Sequence, residues 1–173
     1  MYRKTNKLLA LLVLALPLAA GALESDREQP IELEADRAEM DNVSGVSVYT
    51  GNVILTQGTL KITGDKMTVY QTEGGELDKA YVDGRPATYQ QLPDDQPLPV
   101  KARAPRMEYY ASGPERVRLL QGGLITQGQD EFEGETIVYL VQEDRMQAER
   151  GEGEDQRIRI KFFPKEDDKG DAP

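Results

Sequence analysis

Gly51–Tyr70 reads GNVILTQGTLKITGDKMTVY, and it returns as Gly122–Tyr139, GGLITQGQDEFEGETIVY. Glycines fall at Gly51, Gly58 and Gly64, then at Gly122, Gly128 and Gly134. Between them the side chains alternate: Leu60 and Ile62 against Lys61 and Thr63, then Met67 and Val69 against Lys66 and Thr68. Period two predicts strands with one apolar face. A glycine at each sixth or seventh position predicts a corner where a side chain would obstruct the turn. The unit is therefore a short strand, a corner and a second short strand. Tiling of that unit predicts an elongated stack of strands.

Further copies lie at Ile31–Met40 and Val100–Tyr109, with corners at Ala35, Gly64, Ala104 and Gly134. The long interval between the second and third corners holds LPDDQPLP, Leu92–Pro99, whose three prolines predict a loop at one edge of the stack. Shorter alternating runs complete a count of about 16 strands, and no window carries an apolar 3.6 period, so almost no helix is expected.

Residues 1–22 read as an export signal: Arg3, Lys4 and Lys7 precede the apolar run Leu8–Leu16, and Ala20-Gly21-Ala22 follows as a small-x-small cleavage site. The run is too short to span a bilayer. Residues 23–163 are expected to form one domain, with Leu23–Gln29 loose at its start and residues 164–173 a disordered tail. Without residues 1–22 the chain carries 18 basic and 31 acidic residues, a net charge of −13. That argues against nucleic-acid binding and charge-driven docking on anionic membranes. The absence of histidine and cysteine excludes Ser-His-Asp and Cys-His catalysis and the usual zinc sites. No phosphate-binding glycine motif is present, and neither cofactor nor metal is expected.

The apolar faces carry Ile31, Leu33, Val53, Leu55, Leu60, Ile62, Met67, Val69, Tyr89, Met107, Tyr109, Phe132, Ile137 and Tyr139. Such faces require a second sheet opposite them. They either close into a sandwich core or line a trough of even width that admits something long and greasy. If the trough exists, Asp at Ile62 or Tyr109 should empty it and spare the fold. Asp36, Asp65 and Glu135 recur just after the corners. A position repeated once per rung suits turn stabilisation better than the paired acids of a glycosidase.

Thr50-Gly51-Asn52-Val53 through Gln57-Gly58, Ile62 through Asp65-Lys66, Gly84-Arg85-Pro86-Ala87, and Gly134 with Tyr139 together resemble the OstA-like periplasmic proteins, over about Gln29 to Ile160. Gly123 in place of Asn52, Pro105 in place of an acid and Asp130 in place of Leu60 depart from the repeat. The resemblance implies an all-β, open β-jellyroll, two antiparallel sheets forming a V-shaped slot. It implies a periplasmic carrier that shelters the acyl chains of lipopolysaccharide, with the fourteen apolar residues above as slot lining. Copies would stack end to end as a homo-oligomer and join inner- and outer-membrane transport components for outer-membrane assembly. The competing reading is a structural β-repeat module of the envelope that binds a protein partner and carries no lipid. Unpaired strand edges near Ile31–Met40 and Ile158–Phe163 are where stacking would occur.

Overall fold

The computed structural model describes residues 24–93, 96–152 and 157–163; the expected signal and tail lie outside them. One helical turn, α1 (Glu24–Arg27), precedes β1 (Glu32–Glu34), β2 (Arg37–Asp41), β3 (Val46–Gln57), β4 (Leu60–Gln71), β5 (Leu77–Gln91) and β6 (Val100–Tyr110). Then come β7 (Arg116–Leu120), β8 (Gly123–Gln127), β9 (Asp130–Gly134), β10 (Thr136–Leu140), β11 (Arg145–Glu149) and β12 (Arg159–Lys161). All pairings are antiparallel.

Strands β3 to β6 are long because each serves two layers. Register breaks between Thr50 and Val53, between Thr63 and Lys66, and between Asp83 and Ala87. Strand β6 pairs β8 through Arg103 and β7 from Arg106 onward. One layer therefore runs β1, β3, β4, β5, β6, β8, β9, β12, and the other β2, β3, β4, β5, β6, β7, β10, β11. That makes eight segments in each layer among the described residues, in line with the count of about 16 short strands read from the alternating runs.

The corners form the closed spine of the V. At Gly64 a Cβ would lie 2.5 Å from Val82 Cγ1 and 2.8 Å from the Asp83 carbonyl, so β4 can bend against β5 only without a side chain there. Two of the recurring acids brace this spine. Asp36 accepts a hydrogen bond from Asn52 Nδ2 at 3.0 Å, and Asp65 accepts one from Arg85 Nε at 2.8 Å.

Registers line the inward side chains into rows across whole layers. In the first layer the row is Leu33, Leu55, Ile62, Tyr89, Ala102, Ile125, Phe132, Ile160. In the second, one row is Ala38, Tyr49, Met67, Val82, Met107, Leu119, Ile137, Ala148. A parallel row runs from Met40 through Ser47, Val69, Ala80, Tyr109, Val117 and Tyr139 to Met146. Burying each Leu, Ile, Val or Met contributes about 1.5–3 kcal/mol, so these rows hold the layers together. Ser47 is the polar exception inside, while Val46 and Val48 stand on the outer face of β3.

Candidate functional site

The space between the layers is where the predicted lining residues meet. Val53, Leu55, Leu60, Ile62, Met67, Val69, Tyr89, Met107, Tyr109, Ile137 and Tyr139 are buried there, in one cluster. Leu33 and Phe132 pack partly buried against that cluster, and Ile31 is exposed. The even trough is not what these residues make. Their side chains fill the middle of the slot, and space remains at its two ends.

The N-terminal mouth is a cavity of about 670 Å³ between β1 and the second layer. Its apolar wall includes Ile31, Leu33, Tyr49, Val69, Leu77 and Tyr109. That volume falls within the roughly 300–1,000 Å³ of ordinary ligand sites. The C-terminal mouth is smaller, about 250 Å³, and has Ile125, Phe132, Met146 and Phe162 in its wall. Tyr49, Leu77, Ile125, Met146 and Phe162 were outside the predicted lining. Register with Met67 places Tyr49 inside, a signal that exists only once β3 and β4 are paired.

Opposite the spine, the V is bridged in two places. Residues Leu23–Gln29 are not loose throughout: α1 spans the open side. Asp26, 7% exposed, accepts hydrogen bonds from the Thr59 amide at 2.7 Å, Thr59 Oγ1 at 2.6 Å and Gln91 Nε2 at 3.1 Å, all on the first layer's rim. Arg27 reaches the other rim, donating to the Ala111 carbonyl at 3.0 Å and to Glu115 at 3.2 Å. The second bridge comes from the proline-rich stretch, whose described residues 92–93 and 96–99 lie on the open rim between β5 and β6. Its Gln96 donates to Asp144, 3.1 Å away in the β10–β11 turn.

Both rims are wired to core tyrosines. Tyr89 donates to Gln91, and Tyr109 donates to Glu115 at 2.7 Å. Burial pushes both phenols well above their ordinary range, with the Glu115 charge adding to the shift at Tyr109. Both hydroxyls serve as donors in these bonds. The rings approach across the layers at 6.4 Å between centroids. Among the described residues no three His, Cys, Asp or Glu side chains are placed to hold a metal ion.

An open two-layer β-jellyroll with an apolar interior and, among the described residues, edge strands β1, β2, β11 and β12 at its two ends is the fold class that the resemblance to the OstA-like periplasmic proteins implies. Residues 32–145 match the family described as LptA/(LptD N-terminal domain) LPS transport protein, and the chain belongs to that family. It is 38% identical over 181 residues to the lipopolysaccharide export system protein LptA of Escherichia coli strain K12, covering 98% of this chain and 95% of that one. It is 40% identical over 134 residues to LptH of Pseudomonas aeruginosa, covering 78% and 76%. The crystal structure of that LptH, described as the LptA-homologous periplasmic component of a conserved lipopolysaccharide transport device, superposes with a TM-score of 0.73 at 36% identity. The match covers 81% of this chain and 99% of that one.

Proposed function

We propose that this chain is a non-catalytic periplasmic carrier of lipopolysaccharide, which takes the lipid's acyl chains into the slot and works as one unit of an end-to-end bridge. The observation that carries this reading is the first layer's row, apolar at all eight positions and ending in Leu33 and Ile160 at opposite edges. Moving a C12 chain from water into such a slot is worth up to roughly 9 kcal/mol, at about 0.8 kcal/mol per CH₂. The net negative charge gives anionic head groups no general attraction, so recognition rests on the tails while an open side leaves the head in water.

The edges support stacking. Each layer has eight antiparallel segments, so its first and last strands run in opposite directions. A second copy translated along the stack then meets the first with antiparallel edges, as strand addition requires. Placing Leu33 opposite Ile160 of the next copy puts Glu32 and Glu34 opposite Lys161 and Arg159. Placing Met40 opposite Met146 puts Asp41 opposite Arg145 and Arg37 opposite Glu149. One arrangement thus continues every apolar row and pairs opposite charges. The inner- and outer-membrane transport components would join through the same two edges.

Competition binding tests the reading. Lipopolysaccharide should bind the purified full chain. Fully deacylated lipopolysaccharide, which keeps the sugars and phosphates, should compete at least about a hundredfold more weakly, given the free energy of even a few buried methylenes. Equal competition would place recognition in the head group and overturn the slot reading.

A further inference from the structure

Helix α1 covers the slot where its open mouth gives way to the filled section. Arg27 is part of the wall of the N-terminal cavity, and the Tyr89–Tyr109 contact lies beside the groups that α1 bonds. A chain moving inward from Leu33 and Leu77 meets this closure first.

The closure is built differently from the core. Two neighbouring residues, Asp26 and Arg27, tie one layer's rim to the other's through hydrogen bonds and one ion pair. Glu115, only 2% exposed, has Arg27 as its cationic partner, while Arg27 itself is half in water. Gly58 has a φ of +59°, and a Cβ on it would lie 2.1 Å from Asp26 Oδ1, so the β3–β4 turn is shaped to let the helix in. An apolar seal would lose its whole hydrophobic contribution on opening. Groups bonded to one another can be bonded to water instead, so each contact contributes only a modest net stabilisation. Such a closure is stable when the slot is empty and gives way to a ligand that buries enough apolar surface.

We infer that α1 is a displaceable latch, an internal competitor that holds the two rims together over Tyr89 and Tyr109 until an acyl chain replaces it. This rests on the carrier reading above. Closed chains are not competent to fill the slot beyond the mouth, so the latch lowers apparent affinity by the fraction of open molecules. Its release on binding also gives the empty carrier a closed interior in water, and the loaded one an open side for the head group.

Hydrogen exchange and lipopolysaccharide affinity, measured on the full chain, test it together. The Thr59 amide, bonded to Asp26 in the closed form, reports the latch directly. Saturating lipopolysaccharide should speed its exchange about tenfold or more, and Asp26→Ala/Arg27→Ala should bind lipopolysaccharide about tenfold more tightly than the parent. Arg27→Ala/Glu115→Gln, which leaves no unpaired carboxylate at position 115, should show the same gain and serves if the first variant does not fold. Binding with Thr59 still protected and affinity unchanged in the variants overturns the latch and leaves the carrier reading standing. No binding by the parent or either variant overturns both.

Discussion

Ile62→Asp is expected to unfold the protein at room temperature. Ile62 is 0% exposed, and its row neighbours are Leu55 and Tyr89. Losing the buried side chain and leaving a cavity costs about 2–5 kcal/mol. A carboxylate there has no counter-charge along the row and adds several kcal/mol more, or takes up a proton to avoid it. Together these approach the whole stability of a domain of this size, about 5–15 kcal/mol. Loss of the far-UV β-sheet spectrum, with Ile62→Val folded and only about 1 kcal/mol less stable by urea melting, is the expected pattern. A folded Ile62→Asp protein would mean that the middle of the slot opens in solution. The sequence suggests that Asp at Ile62 or Tyr109 would only empty a trough. Their place in the packed core, where Tyr109 already faces Glu115, is the reason to expect unfolding instead.

Leu33→Asp should do the reverse, sparing the fold and abolishing assembly. Leu33 is half-buried on the three-residue edge strand β1. The monomer can leave an Asp there in water. In the stack the same side chain would be enclosed opposite Ile160 of the next copy. Enclosing it without a partner costs about 3 kcal/mol or more, roughly a hundredfold or greater loss of self-association. Analytical ultracentrifugation should show concentration-dependent species for the parent and monomer for the variant, with melting temperatures within a few degrees. Unchanged association would move the junction away from β1.

Much of the architecture was legible in the sequence because it is periodic. Alternation and regular glycines gave two layers, sixteen segments and the corner positions, since each depends on local geometry alone. Gly64 is an example: a bend and a close approach to Val82 leave a mark that a single residue carries. The same alternation picked out eleven side chains that are buried together. What it could not show is the spacing of the layers. Whether Ile62 lines a trough or fills it depends on how far side chains such as Tyr89 and Tyr109 reach toward one another.

The mouths were harder to read for a related reason. Pairing with β4 turns Ser47 and Tyr49 of β3 inward and leaves Val46 and Val48 on the outer face. Helix α1 was invisible because four polar residues carry no apolar period. It is held by hydrogen bonds with Gln57, Thr59, Gln91, Ala111 and Glu115, all distant in the chain. The long prolines-and-acids loop showed itself as a loop, but its reach to Asp144 depends on a turn about fifty residues onward.

Photo-crosslinking with lipopolysaccharide tests the slot most directly. A photoreactive residue placed singly at Leu33, Leu77 or Phe132, at the mouths, should capture the lipid. The same residue at Val48, on the outer face of the second layer, should not. Adducts confined to the mouth positions are the predicted result. Equal capture at Val48, or none at Leu33, Leu77 and Phe132, would contradict a carrier that holds acyl chains between its layers.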